Sequence, residues 1–421
     1  MAFIGIRGAT PIKDEIELQA HLATLLRLEN VGLFLGAGAS VPAGGKTMWD
    51  LWIDFIDTIR TAAEWLVANN FIKENAILCD EDLIVPNVEL LGDSLEIALA
   101  EWRRQANPEL LSLERTHAQL TRAVVRAAKL HPEWWQSPGG AEADAEQLQH
   151  HRAILQKFVA ARQPGQAAPW VFTTNYDLAI EWAAESIDLQ VINGFLGVHG
   201  RRFSPQSFDL GFRNTQARGE ARFGVYNIYL AKLHGSLSWR EDAGHVYEVP
   251  APLAGQDIED FLEDEDKTEL GLMVMPRAAK YMQTVGYVLG ELFRRFSEFL
   301  SRPQTSLVVC GYGFGDEHIN RLLRSALLNP TLQLVIYSPE FTGDASDLSV
   351  PEAVRKLLSL KNPRVTVVGG GNMAHIDKLA NQLPDPLLYD DSLRLLEKAL
   401  REPDEGKKPK TEVSMQDVED L

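Results

Sequence analysis

Two kinds of apolar run alternate along this chain. Short uninterrupted runs end in glycine, asparagine or histidine, and longer runs repeat at helical spacing. Val31–Leu35 is the first short run; its continuous apolar character predicts a strand buried on both faces of a parallel sheet. It leads into Gly36-Ala-Gly-Ala-Ser40, and past Pro42 and Gly44-Gly45 a helical pattern begins at Trp49 with Leu51, Trp52, Phe55 and Ile56, continuing to about Asn70. Residues 10–29 place Ile16, Leu18, Leu22, Leu25 and Leu28 at roughly helical spacing, which predicts an amphipathic helix beside the first strand.

From 71 to about 165 the pattern is helical, with long stretches at Leu95–Arg104 and Leu110–Leu130, a loop around Ser137-Pro-Gly-Gly140, and a polar helix over Glu142–Lys157. Short apolar runs then return. Trp170–Thr173 is aromatic and β-branched, Tyr226–Leu233 and Ser306–Cys310 are strongly apolar, and Gln333–Tyr337 and Arg364–Val368 follow. Shorter strands are expected near Gln190 and over Leu272–Met275. Helices are expected over Leu178–Glu185, Lys280–Leu300, Ile319–Leu328 and Leu387–Leu400, with an acidic exposed segment at Gln256–Glu269. Residues 201–224 show no clear period, and no internal repeat is present. Alternating strands and helices predict an α/β fold: a Rossmann-like parallel sheet flanked by helices, carrying a helical insertion.

That pattern divides the chain into a core domain of residues 1–70 and 166–400, a helical insertion at 71–165, and a tail over 402–421. The insertion reads as a lid or an assembly surface. The tail alternates lysine with acidic residues and has few apolar ones, so it is expected to be disordered.

Composition narrows the class. The 421 residues are 45% hydrophobic and 24% charged, as in an ordinary globular protein. No apolar run reaches the roughly 18 residues of a membrane span, and the start carries no secretory pattern, so the expected location is cytoplasmic. The formal net charge of −18 argues against a broad nucleic-acid surface. The 2 cysteines, Cys79 and Cys310, cannot build a four-cysteine zinc site, so no zinc ribbon and no metal are expected.

Candidate chemistry sits at the strand ends. A strand, a glycine turn and a helix in that order suit a nucleotide phosphate, since glycine lets the backbone approach and the exposed amides attract anions. The Gly36/Gly38 turn is incomplete as a dinucleotide fingerprint, because Val41 stands where a third glycine belongs and no ribose-holding acid follows roughly 20 residues later. A tight structural turn is the competing account. Trp170–Thr173 runs into Thr174-Asn-Tyr-Asp177, which puts Asn175 and Asp177 at a carboxyl end where open parallel sheets bind ligands; Asp177 also suits capping of the next helix. Tyr226–Leu233 runs into His234-Gly-Ser, placing at a cleft the side chain best suited to proton transfer near neutral pH. His199-Gly200 competes with it after a weaker strand. His150-His151 reads as a solvated helix face, because adjacent residues do not share a face. Ser306–Cys310 runs into a second glycine turn, Gly311-Tyr-Gly-Phe-Gly-Asp316, whose Asp316 is placed to cap the following helix.

Taken together, Gly36-Ala-Gly-Ala-Ser40, Thr173-Thr-Asn-Tyr-Asp177, Lys232-Leu-His-Gly-Ser236 and Gly311-Tyr-Gly-Phe-Gly-Asp-Glu-His-Ile-Asn320 resemble the sirtuin-like family, the NAD-consuming fold of silent-information-regulator deacylases and their bacterial relatives. The resemblance implies that Gly36, Ala37, Gly38 and Ser40 hold the pyrophosphate and nearby ribose, and that Gly311 and Gly313 line the adenosine side. It implies that Asn175 positions the nicotinamide ribose and the attacking water, that Asp177 contacts the carboxamide, and that His234 is the general base. Departures matter as well. The paired cysteines of deacylating sirtuins are missing, Ala43-Gly-Gly-Lys-Thr-Met-Trp49 replaces the usual Gly-Ile-Pro-Asp-Phe-Arg segment, and no acyl-lysine clamp is recognisable. Water is therefore the implied acceptor, with nicotinamide and ADP-ribose as products.

The zinc-free form with a helical insertion is similar to bacterial sirtuin-like NAD hydrolases of anti-phage defence, which deplete cellular NAD. Among these the layout is most similar to proteins that assemble with a HerA-type hexameric DNA-translocating ATPase. That resemblance implies a homo-oligomer, regulation by assembly or by the partner ATPase, NAD as substrate, and no membrane. A non-catalytic NAD- or ADP-ribose-binding scaffold, and a zinc-free NAD-dependent deacylase or transferase, are the alternative readings.

Overall fold

The chain opens with two short strands, β1 (Ile4–Arg7) and β2 (Thr10–Ile12), before helix α1 (Glu15–Leu26), strand β3 (Asn30–Leu35) and helices α2 (Met48–Thr58) and α3 (Arg60–Ala68). A helical segment follows: α4 (Val88–Gln105), α5 (Leu110–Ala128) and α6 (Gln149–Ala160). Next come β4 (Trp170–Thr173), α7 (Ala179–Glu185), β5 (Gln190–Ile192), β6 (Phe195–Leu196), β7 (Arg201–Phe203), β8 (Asn227–Lys232), β9 (Gly235–Asp242) and β10 (His245–Glu248). The rest comprises α8 (Ala251–Glu263), β11 (Leu272–Val274), α9 (Thr284–Ser301), β12 (Thr305–Cys310), α10 (Glu317–Ala326), β13 (Gln333–Tyr337), α11 (Glu352–Ser359), β14 (Val365–Gly369) and α12 (Ile376–Gln382). This computed structural model describes residues 3–385 apart from 78–84, 138–139, 143–144, 164, 213–226, 269, 271, 275–283 and 345–346. Cys79, the expected helix at Leu387–Leu400 and the expected tail lie outside the described residues.

Nine strands form the main sheet in the order β2-β1-β14-β13-β12-β3-β4-β8-β5. The seven from β14 to β5 pair in parallel, whereas β1 and β2 add an antiparallel edge. The chain winds outward from β3 in one direction through β4, and later from β12 in the other through β13 and β14. The junction of β3 and β12 is thus the topological switch point, where open α/β sheets bind ligands beyond the carboxyl ends. All six residues of β3 and all six of β12 are buried, which is why both read as unbroken apolar runs. Helices pack on both faces, so the α/β, Rossmann-like expectation stands. No helix among the described residues is long and apolar enough to cross a membrane.

Some expectations change. The start of the supposed helix at residues 10–29 is strand β2 as far as Ile12, and Pro11 fits there because an edge strand can spare an amide donor. Helix α1 begins only after Asp14, whose side chain caps Glu17. Ile16 faces solvent, while Leu18, Leu22 and Leu25 are buried. Of the second sheet of five strands, β11-β9-β10-β7-β6, the sequence pattern had marked β11 but not the hairpin strands β9 and β10 or the short strands β6 and β7. Its strands pair antiparallel; β10 buries only one of its four residues, and β9 (GSLSWRED) is largely polar in sequence, so they lack the continuous apolar signature of the main sheet. In the polar segment read as a helix over Glu142–Lys157, residues 143–144 lie outside the described residues, and Glu146–Leu148 and then α6 are helical.

Candidate functional site

Four neighbouring strands, β12, β3, β4 and β8, end on the same edge of the sheet, and each ends in one of the sequence motifs. The backbone stitches these ends together. Thr174 N–H donates to the Leu35 carbonyl at 3.3 Å, and Leu233 N–H to the Thr173 carbonyl at 2.8 Å. Gly36 N–H donates to the Cys310 carbonyl at 3.1 Å, and Gly38 N–H to the Gly311 carbonyl at 2.9 Å.

The two glycine turns are in direct contact, and this explains most of their glycines. A Cβ on Gly36 would lie 2.5 Å from the Gly311 oxygen, and one on Gly311 would lie 2.2 Å from the Ala39 nitrogen. Gly311 also has φ +67°, a conformation that side chains disfavour. Gly38 is less crowded, since its Cβ would lie 3.0 Å from the Gly311 Cα, tight but short of a clash. Gly313 differs, since nothing lies within 4 Å of its notional Cβ. Of these four glycines it is the one that no close contact requires.

Ser40 ties the first turn to the Asn-Tyr-Asp segment. Its hydroxyl donates to Asp177 Oδ2 at 2.7 Å and accepts from Asn175 Nδ2 at 2.8 Å. Asn175 Nδ2 also donates to the Gly36 carbonyl at 3.0 Å. Asp177 is buried, and its Oδ1 accepts the Ala179 N–H at 3.0 Å, so it both joins the network and holds the first amide of α7, whose cap position is Leu178. Beneath it the buried Lys232 ammonium donates to the Asp177 carbonyl and reaches Glu181 Oε1 at 3.1 Å. Ala37, Ser40, Thr174, Asn175, Tyr176 and Asp177 line a cleft of about 100 Å³, which Val88, Glu89, Val124, Ala127 and Ala128 of α4 and α5 close from the other side.

His234 is built into a different set of bonds. Its Nδ1 lies 2.7 Å from Glu89 Oε1 and its Nε2 lies 3.1 Å from Asp316 Oδ2. Burial disfavours the charged ring, but the bonds to Asp316 and Glu89 outweigh it and raise the His234 pKa to about 9. Burial would likewise lift the Asp316 carboxyl, yet the His234 ring holds it below the usual carboxylate range. At neutral pH the pair of carboxylates therefore brackets an imidazolium. Among the described residues Glu89, His234 and Asp316 are also the one group of three side chains near enough to share a metal ion, with ligand atoms within 4.8 Å of one another. Their observed bonds are to each other.

The structure thus joins Gly36, Gly38, Ser40, Asn175, Asp177 and Gly311 in one network and sets Ala37 on the cleft wall. His234 is placed at the neighbouring strand end, engaged by Glu89 and Asp316. His199 lies instead on a separate cavity bordered by α7 and β10. Two residues escaped the sequence reading. Glu89 lies in the first turn of α4, capped by Asn87, and nothing local marks it as reaching β8. His151, read as solvated, is only 2% exposed because α6 packs against α7 and α12. It hydrogen-bonds the Ala39 backbone and lies near Asp177, its Nδ1 has no partner, and burial lowers its pKa to about 4. The Cys310 thiol, pushed up to about 12 by burial, is no nucleophile.

Residues 169–354 match the family model described as a SIR2-like domain. The span runs from β4 into α11 and takes in Asn175, Asp177, His234 and the Gly311–Asp316 turn. The match supports a sirtuin-like relationship, and SIR2-like domains use NAD and are generally NAD-dependent enzymes. No curated protein matches the chain.

Proposed function

We propose that this protein is an NAD⁺ hydrolase that cleaves the nicotinamide–ribose bond with water to give nicotinamide and ADP-ribose. The observation that carries the reading is the Asn175–Ser40–Asp177 network at adjoining strand ends, on the switch-point edge of the sheet. In the proposed reaction a new bond forms between water oxygen and C1′ of the nicotinamide ribose. The C1′–N bond breaks, its electron pair neutralises the pyridinium nitrogen, and water gives up a proton. The developing charge at C1′ makes orientation of water and leaving group the protein's main task. Asn175, with its amide fixed by Ser40 and Gly36, suits the placement of ribose and water. Asp177 suits the carboxamide, and His234 is the proposed proton acceptor. Gly36, Ala37, Gly38, Ser40, Gly311 and Gly313 are proposed to hold the dinucleotide, with Gly313 offering the open approach.

The absence of a four-cysteine set in the sequence and of a recognisable acyl-lysine clamp favours water as acceptor. By the same resemblance we propose a role in anti-phage defence through NAD depletion, in a homo-oligomer regulated by assembly or by a HerA-type ATPase. Residues 71–165 are the proposed lid or assembly surface. Their helices α4 and α5 already close one side of the cleft.

The test is NAD turnover by purified protein, alone and mixed with a HerA-type ATPase, for wild type, Asn175→Ala and His234→Ala. Release of ADP-ribose and nicotinamide that both substitutions abolish supports the hydrolase. Tight NAD binding without turnover in any mixture refutes it in favour of a binding scaffold, and release of nicotinamide with transfer of an acyl group to ADP-ribose refutes water as acceptor.

A further inference from the structure

Glu89 and Asp316 both bind His234, but they are anchored very differently. Asp316 is fixed by its own helix: Oδ1 accepts the His318 and Ile319 amides at 2.7 and 3.2 Å as the cap of α10. The Tyr312 hydroxyl donates to its carbonyl at 3.2 Å. Glu89 sits in the first turn of α4, and the start of that helix is tied to the glycine turn through Asn87 Nδ2, which donates to the Gly315 carbonyl at 3.2 Å on the surface. Asp93, one turn further along α4, also faces this group, and burial followed by the charge of Glu89 raises its carboxyl pKa. On the other side the ring of Phe293 lies 6.5 Å from that of His234, and His318 packs against Phe293.

The cleft gives a second, independent reason to look at α4. At about 100 Å³ it is well below the roughly 300–1,000 Å³ of sites that enclose small molecules, and a dinucleotide is a large ligand. Val88 and Glu89 belong to its wall. Opening the cleft by moving the start of α4 would carry Glu89 away from His234 Nδ1, while Asp316 stays with α10.

Building on the hydrolase reading, we propose that Glu89 is a positioning residue of the same reaction, acting through His234: it keeps the ring occupied while α4 covers the cleft, and displacement of α4 by substrate or an assembly partner vacates Nδ1. Without the Glu89 carboxylate the imidazolium is the stronger acid, so Nδ1 releases its proton to solvent; the neutral nitrogen then takes the proton that water loses as its oxygen bonds to C1′ and nicotinamide departs with the electron pair of the broken bond. While both carboxylates are in place, a pKa of about 9 leaves only about one ring in a hundred neutral at pH 7.

The experiment uses the full chain with ¹⁵N-labelled histidine. His234 is identified by its loss in His234→Ala and titrated by NMR in wild type and Glu89→Gln, with NAD hydrolysis measured across pH 6–10 in the same proteins and in Glu89→Ala. The expected result is titration near pH 9 in wild type and at least one unit lower in Glu89→Gln. The acid limb of kcat/KM, which reports the free enzyme, should move by the same interval, raising kcat/KM at pH 7 about tenfold. Identical titration of His234 in the two proteins overturns the proposal, as does a uniform loss of turnover in Glu89→Gln with an unmoved acid limb. If His234 shifts but no variant turns over NAD, the hydrolase reading fails and takes the reaction role of Glu89 with it. If Glu89→Gln leaves the profile unchanged while His234→Ala abolishes turnover, only the Glu89 proposal falls.

Discussion

Gly311 and Gly313 share one turn and one motif, yet the structure predicts opposite outcomes for replacing each with alanine. A methyl on Gly311 would meet the Ala39 nitrogen at 2.2 Å and the Gly38 carbonyl carbon at 2.7 Å, both backbone atoms that cannot swing aside. Its φ of +67° adds a left-handed conformation that disfavours alanine by about 1–2 kcal/mol. Forcing the two turns apart adds about 1–3 kcal/mol of overpacking. Gly311→Ala should therefore destabilise by about 2–5 kcal/mol, a large part of the ~5–15 kcal/mol that holds a typical fold. A methyl on Gly313 meets no atom within 4 Å, and its backbone lies outside the left-handed region. Gly313→Ala should be neutral or stabilising by about 0.4–1 kcal/mol through loss of unfolded-state freedom. Urea unfolding followed by far-UV circular dichroism reads the stability difference, and isothermal titration with NAD reads affinity. On the proposed function Gly313→Ala keeps the wild-type unfolding midpoint but weakens NAD binding. Equal destabilisation by the two substitutions, or a neutral Gly311→Ala, would refute the reasoning that turn-to-turn contact, rather than the ligand, requires glycine at 311.

Three further outcomes are expected. Ser40→Ala removes a hydrogen bond to a carboxylate worth about 1.5–3 kcal/mol and a second to Asn175 worth about 1 kcal/mol, so NAD turnover should fall at least tenfold in a folded protein; wild-type kinetics would show that the network does not position Asn175. His151 is buried with its folded pKa lowered to about 4 from 6.5, so the protein favours its neutral ring. That contribution is complete above pH 6.5 and is lost as pH falls towards 4, amounting to about 3 kcal/mol. Because His21 is lowered to about 4 by burial as well, the measurement is the difference in acid unfolding between wild type and His151→Gln, which should be the less acid-sensitive. Lys232→Met should destabilise by about 3–5 kcal/mol in thermal or urea melts, since it leaves buried Glu181 without its cation, and Lys232→Met combined with Glu181→Leu should recover part of the loss.

Much of the site was legible because its elements are local. The runs ending at Leu35, Thr173, Lys232 and Cys310 are central parallel strands, buried on both faces, and burial of that kind writes itself into consecutive residues. Turn and cap residues such as Asp316 are equally local, because they act within three or four positions. Short edge strands such as β1 and β2, and half-exposed strands such as β10 in the second sheet, carry no such mark. His151 misled because neighbouring residues on a helix face different ways: His150 is half-buried, whereas His151 is turned into the contact with α7 and α12.

The sequence by itself determined the α/β class, the order of motifs along the chain and the residue types available at each strand end. Only the tertiary structure decided which ends adjoin, and with that which glycines serve contact between turns and which leave space. It also decided that His234 is gripped by Glu89, 145 positions away in the chain, and by Asp316, 82 positions away. The physical reason is range. Periodicity and turn chemistry report how each residue meets water and its near neighbours, whereas the protonation of a buried histidine depends on whatever charge long-range packing brings to its two nitrogens.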